Sequence, residues 1–388
     1  MNQLTELTIG FQCWSPAQLY EVVVDFFSNH LNVANNADNQ VWVRHTMDRD
    51  VIRKHAFGKF SEMLVASARN PAMLLYLNLA ESTKQLPNEN YGREVLELHT
   101  IGLNYTEIDV LNSARVLTGR TLNADATYYF DPSIHYQGPI RVLGFSHANA
   151  EPAQGERVGD LYLKYLAEHP LTANNLARKL CVRFVSDNPS TRLVESVASA
   201  YLANHTAVLP TIRTIFESPE FWASRYMKER RPSEDTVASL RILDVGIGRD
   251  TRKSIERLHW MLMAVNDLPL AWVPPTGYPD VADGWRSSSN LLTVWRYHRQ
   301  LVLNAWKNEL ISPPLEGLYG RSKPATSGEA IGVLCQRLLG GQMSTSRLVA
   351  LQKFVGEPAS TPIVKSHLKW ILPHLVPLIL DSPYHAQR

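Results

Sequence analysis

The chain has 388 residues, 45% of them apolar and 20% charged, with 39 basic against 37 acidic side chains. That balance excludes disorder and low complexity, and a formal charge of +2 leaves no basic footprint for nucleic acid. Three widely spaced cysteines, Cys13, Cys181 and Cys335, without a CxxC, exclude a disulfide scaffold and a thiolate zinc site.

In chain order the pattern is almost wholly helical. Ser15-Pro16 places an N-cap before a proline at the first helical position, and Leu19, Val22, Val23, Phe26 and Phe27 then recur at helical spacing, which predicts a helix over 16–31. A helix over 49–69 follows, ending at Asn70-Pro71, where Pro71 opens another through Leu79. Asparagines start the segment 88–102 and Gly102 closes it. Thr106 and Asp109 form a capping box for a helix that stops at Thr118-Gly119.

Between Thr127 and Gly144 the periodicity changes. Tyr128 to Phe130, Asp131-Pro132 and Gly138-Pro139 predict one short β-hairpin or ordered loop in an otherwise all-α, multi-helix assembly. Helical spacing resumes at Arg157 and runs through segments near 171–185, 192–206, 208–217, 219–229, 233–245, 251–265 and 287–304. Leu268 to Asn290, rich in proline and tryptophan, reads as an ordered loop or lid whose aromatics require burial. A main helical domain over 1–312 and a C-terminal helical subdomain over 313–388 packed on that core, divided at Pro313-Pro314, are expected. No apolar run reaches the length of a spanning helix, the closest (Trp370 to Leu380) being broken by Pro373 and Pro377. Met1 to Gly10 lacks the features of a signal peptide, so as written the chain carries no export address.

Chemistry concentrates in Asn88 to Gly102. On a helix Asn90, Arg93, Glu94 and Glu97 share one stripe, and Tyr91, Val95 and Leu98 another. Arg93 and Glu97 are spaced to pair, while the two carboxylates could split into acid and base or ligate a metal. Glu97 and His99 diverge on a regular helix and converge only if its last turn unwinds. His30, His55, His135 and His169 form a pool of further partners, each more often a capping or core histidine than a ligand. The tip carrying His135 is expected to face Glu94 or Glu97. Arg178, Lys179 and Arg183, at helical spacing after His169, could anchor a phosphate or carboxylate. Gly144-Phe145-Ser146-His147-Ala148 and Gly246-Ile247-Gly248 are incomplete nucleophile-elbow and dinucleotide motifs and read as turns.

Phe27-Ser28-Asn29-His30, Arg53-Lys54-His55-Ala56-Phe57-Gly58, Asn70 to Leu77, Asn88 to Gly102, Ala114 to Gly119, His169-Pro170, Arg178-Lys179-Leu180, Lys228 with Pro232 and Glu234, and Ser382-Pro383 follow one another in an order that resembles the bacterial family catalogued as domain of unknown function 1800. The resemblance spans nearly the whole chain, apart from an N-terminal extension usual in the family. Four family positions differ: Phe27 and Arg120 stand where a tryptophan is usual, and Tyr136 and Ile140 where an aspartate and a lysine are. The family implies no activity or cofactor. Its frequent gene neighbour looks like alkaline phosphatases and sulfatases, which implies a protein partner in the cell envelope. Two functions are therefore expected: a binding or accessory protein whose polar groove uses Asn90, Arg93, His169, Arg178 and Lys179, or a hydrolase, metal-assisted, using Glu94 and Glu97 with His99 and His135.

Overall fold

The computed structural model describes residues 3–35, 42–341 and 343–388 of the chain. Nineteen α-helical segments dominate them, and strands occur as three two-stranded antiparallel ladders. The fold is all-α in class, with small β elements as connectors. No helix among the described residues is long and apolar enough to cross a membrane.

Side-chain capping explains nine of the α-helix starts among the described residues. Asn70 and Asn88 accept hydrogen bonds from Ala72 and Asn90 nitrogens, both at 3.0 Å, and Thr106 and Asp109 make the reciprocal capping box that opens the helix Glu107–Leu117. The helix predicted over 49–69 is instead two elements, a π-helix Met47–Arg53 and an α-helix Phe60–Ser67. The interruption is tertiary: Val208 N bonds Gly58 O at 2.8 Å and Phe60 N bonds Thr206 O at 2.9 Å, so this backbone pairs with a distant segment rather than with itself. The long apolar helix Lys365–Leu380 runs through both Pro373 and Pro377.

The single hairpin expected over 127–144 is two. Tyr128–Phe130 pairs backward with Arg120–Leu122, and Ile140–Val142 pairs forward with Phe145–His147. Ile140 and Val142 face inward and are fully buried, which suits an apolar residue at 140. Arg120 is buried too, and its guanidinium reaches Asp160 at 2.8 Å.

Two apolar clusters form the interior. One runs from Val23 to Ile215. The other joins Ile9 and Cys13, on the helix Gln3–Trp14, to residues from Leu240 to Leu380. The division expected at Pro313-Pro314 is therefore not where the apolar packing divides: Leu334, Leu338 and Val376 share their cluster with Leu258, Leu262 and Leu301. The physical reason is that the helix Lys365–Leu380 packs on the helix Ser288–Val302 and carries with it the helices Ser327–Leu339 and Thr345–Val355, which pack on Lys365–Leu380.

One close helix crossing is at Gly92, where the helices Glu89–Glu97 and Glu107–Leu117 meet. A Cβ there would lie 2.9 Å from Ala114 N and 3.0 Å from Val110 O, both backbone atoms that cannot turn aside. Gly92→Ala is expected to cost about 1–3 kcal/mol of stability through overpacking, read as a lower urea midpoint at unchanged slope.

Candidate functional site

The stripe on the helix Glu89–Glu97 forms as the spacing requires, but its charges pair elsewhere. Arg93 forks onto Glu107 at 2.9 and 2.6 Å and lies 3.7 Å from Glu89, so the expected pairing with Glu97 gives way to a carboxylate at the start of the next helix. Glu97 accepts a hydrogen bond from the Tyr105 hydroxyl. Burial, then the neighbouring Glu97, raises the Glu94 pKa. Asn90 is exposed.

The helix ends at Glu97 rather than Gly102, and Leu98 N and His99 N share Glu94 O at 2.9 and 3.0 Å. That unwinding carries His99 inward, away from Glu97. Its ring lies 6.2 Å from Tyr91 and 6.3 Å from His30 between centroids, and neither nitrogen has a hydrogen-bond partner.

His135 does not face the carboxylates either. Its Nδ1 lies 2.8 Å from Thr118 O and its Nε2 3.0 Å from Asn149 Oδ1, so both nitrogens tie the two hairpins together. A Cβ on Gly155 would lie 2.3 Å from this ring, which shows how tightly it is enclosed. His169 caps the helix Pro170–Phe184, accepting from Leu171 N at 3.2 Å. Glu94 and Glu97 thus stay interacting neighbours on one helix, His99 and His135 are enclosed elsewhere, and among the described residues the four do not group as metal ligands.

Lys179 and Arg178 lead to a different place. Lys179 Nζ donates to Leu98 O at 3.0 Å and lies 3.3 Å from His30 Nδ1, whose Nε2 is 3.0 Å from His99 O. Those partners assign the proton of His30 to Nε2. Both residues line a cavity of about 270 Å³ with Arg178, Arg183, Arg231 and Asp280. A larger cavity of about 480 Å³, lined by Glu21, Glu234, Arg241, Arg337 and Arg388, shares Asp25, Arg183 and Arg231 with it. The larger one lies at the junction of the two apolar clusters, with Gln12 and Ala238 from one side and Val22 from the other.

The shared wall is an ion network. Asp25 Oδ2 receives Arg231 at 2.6 Å and Arg183 at 3.2 Å. Glu234, at the start of the helix Pro232–Ile242, takes Arg183 and, at 3.2 Å, Arg388, and reaches back to Arg231 N at 3.0 Å. Burial opposes the Glu234 charge, but Arg183, Arg388 and Arg231 overcome it and hold its pKa far below the usual carboxylate range. Even so, cations predominate: the two cavities are lined by eight basic side chains and four carboxylates. Arg183 Nε and Arg231 Nε are buried with no acceptor.

The segment predicted as an ordered loop or lid lines the smaller cavity through Thr276, Tyr278, Asp280 and Val281. Asn29 holds it by both amide atoms, donating to Tyr278 O at 2.7 Å and accepting from Tyr278 N at 2.6 Å. Gly277, at φ +69°, makes this docking possible, since a Cβ would sit 2.2 Å from Asn29 O. Lys228 fastens the far end, with Nζ 2.7 Å from Asp187 Oδ1, whose other oxygen accepts from Ala282 N at 2.8 Å.

Asp25 and Asp187 carried no signal in the sequence, because their cationic partners lie 41 to 206 residues away. The available signal was the set of family landmarks: Asn29-His30, Arg178-Lys179, Lys228 and Glu234, scattered in sequence, all meet around these two cavities or the lid.

Burial and then Lys179 push the His99 pKa from 6.5 down to about 3, and His30 falls well below its ordinary value through burial, Lys179 and His99. Between pH 3 and 6.5 the unfolded chain therefore binds protons that the folded chain refuses, and stability falls as pH is lowered through that window. His99 alone contributes a slope of up to about 1.4 kcal/mol per pH unit. His99→Leu should flatten the acid limb by about one proton in urea titrations at stepped pH; an unchanged slope would show that His99 is not held neutral.

No curated protein and no solved structure shows significant similarity to the chain. The sequence profile of one family, described as "Protein of unknown function (DUF1800)", matches residues 1–386. With that match over nearly its whole length, the chain belongs to the DUF1800 family.

Proposed function

We propose that the protein is a binding or accessory protein for an anionic ligand, a phosphate or sulfate ester or a carboxylate, taken up in the two cavities that share the Asp25–Arg183–Arg231 wall. The observation that carries this reading is the excess of basic over acidic lining groups, with two buried guanidinium Nε groups lacking an acceptor. Guanidinium forks suit planar, multidentate oxyanions, and a low-dielectric wall strengthens each contact. In this reading the groove expected between the 90–99 and 169–183 segments is replaced by the two cavities: Arg178 and Lys179 remain ligand contacts, while Asn90, Arg93 and His169 line neither cavity and serve the surface or a helix cap.

A partner resembling alkaline phosphatases and sulfatases fits this chemistry, because both would handle the same class of ester, and such a partner would place the pair in the cell envelope. The alternative of a hydrolase built on Glu94, Glu97, His99 and His135 keeps the interacting pair Glu94 and Glu97 but is weakened at His135, whose two ring nitrogens face Thr118 and Asn149.

Arg178 and Arg337 are exposed members of the smaller and larger linings, so their charges can be reversed without disturbing the buried network. Titration with inorganic phosphate, sulfate and simple phosphate and sulfate esters should raise the melting temperature, by the equivalent of about 2.7 kcal/mol at a hundredfold excess over Kd. Arg178→Glu and Arg337→Glu should each weaken binding by about tenfold or more at low salt. No stabilisation by any of these anions, or affinity unchanged in both variants, would sink the proposal.

A further inference from the structure

A second cluster lies beyond the arginine wall, between helices of the C-terminal apolar cluster. Asp235 belongs to the helix Pro232–Ile242, His298 to Ser288–Val302 and His385 to Pro383–Ala386. All three are buried, and their ligating atoms lie within 4.8 Å of one another. His298 Nε2 is 2.7 Å and His385 Nε2 3.6 Å from the same atom, Asp235 Oδ1. Ser239 Oγ, one turn after Asp235, lies 2.9 Å from His385 Nε2 and 3.5 Å from Asp235 Oδ1. Two imidazole nitrogens, a carboxylate and a hydroxyl thus face one small volume. The two rings stand nearly perpendicular, at 82° with centroids 5.3 Å apart, so their nitrogens approach from different directions.

The surroundings are those of a ligand set. His298 Nδ1 lies 2.8 Å from Asp381 Oδ1, and a carboxylate on the outer nitrogen turns the lone pair of Nε2 toward the cluster. Burial works against a charge on His298, but Asp235 and Asp381 outweigh it and raise its pKa to about 9, so a metal ion has to displace that proton. With both imidazoles then neutral, the two carboxylates carry two negative charges, which one divalent cation neutralises. Tetrahedral zinc at about 2.0–2.1 Å from each donor spaces the donors roughly 3.3 Å apart, so the His298–Asp235 contact has to open by about half an ångström and the His385–Asp235 contact to close slightly. Asp235 also lines a cavity of about 350 Å³ bounded by Trp285, Arg286, Asn290 and Ala386, which gives the position a route to solvent.

We propose that Asp235, His298 and His385 bind a divalent transition-metal ion of the zinc type, with Asp381 orienting His298 and Ser239 or a solvent molecule in the fourth position. The mixed nitrogen and oxygen donor set selects zinc or cobalt over magnesium or calcium, which take oxygen ligands. This site is separate from the proposed anion cavities and stands whether or not an anion binds there.

The test uses the full chain, stripped with a chelator and titrated with Zn²⁺ against a chromophoric competitor, and in parallel with Co²⁺. One Zn²⁺ per chain and the intense visible bands of a four-coordinate Co²⁺ ion are expected. His385→Gln, at a short terminal helix, should abolish stoichiometric binding, and Asp381→Asn should weaken it by about 10–100-fold while preserving the Co²⁺ spectrum. His298→Gln should behave like His385→Gln, and if that variant does not fold, the wild-type spectrum and His385→Gln still decide. Absence of stoichiometric Zn²⁺ and of four-coordinate Co²⁺ bands in the wild-type chain, or undiminished binding by folded His385→Gln, would overturn the site and leave the cluster as a buried histidine–aspartate ion pair.

Discussion

Arg183 reaches across the junction between the two apolar clusters, and the architecture around it follows from the need to compensate its buried charge. Its own helix offers no carboxylate. Asp25 comes from the helix Gln18–His30, Glu234 from the start of the helix Pro232–Ile242, and Asp280 from the lid, at 3.6 Å. Each carboxylate in turn attracts a further cation: Arg231, Arg388 or Lys228. A buried pair of this kind gains little net stability over an apolar contact, yet removing one partner costs about 3–5 kcal/mol. The network therefore works mainly as a specificity device. It permits one docking of the second cluster on the first and leaves basic groups in excess along the cavities that result.

Features that depend on neighbours in sequence were legible before the structure. The caps at Asn70, Asn88 and Thr106, the buried and polar stripes of the helix Glu89–Glu97, and the compact lid over 268–290 all follow from side chains within a turn or a loop of one another. Features that depend on a distant partner were not. Nothing near Arg93 announces that Glu107 will outcompete Glu97, and nothing near Gly58 announces that its backbone will pair with Val208. The same holds for strand pairing, where Tyr128 to Phe130 had apolar and aromatic neighbours on both sides and joined the earlier one.

The histidines divide along the same line. His169 and His135 satisfy their ring nitrogens with backbone or amide groups and hold local structure together. His30 and His99 are held as neutral rings under Lys179, whose own ammonium burial pushes down to about 8. His298 and His385 escaped notice because their partners, Asp235 and Asp381, lie on other helices. Residue type alone would have ranked all of these equally; what separates them is the second atom each ring nitrogen meets.

The helix Gln3–Trp14 precedes the first apolar cluster in sequence but packs into the second. Trp14 Nε1 donates to Val245 O at 3.2 Å, and Arg241 donates to Cys13 O at 2.8 Å, contacts that span 231 and 228 residues. On a ribosome adding about 5–20 residues per second, this helix waits more than ten seconds for its partners to be made. Throughout that interval the cluster from Val23 to Ile215 can assemble while Ile9 and Cys13 remain uncovered. The order of synthesis and the order of assembly are thus opposed for this helix, which is made before the first cluster and docks after it.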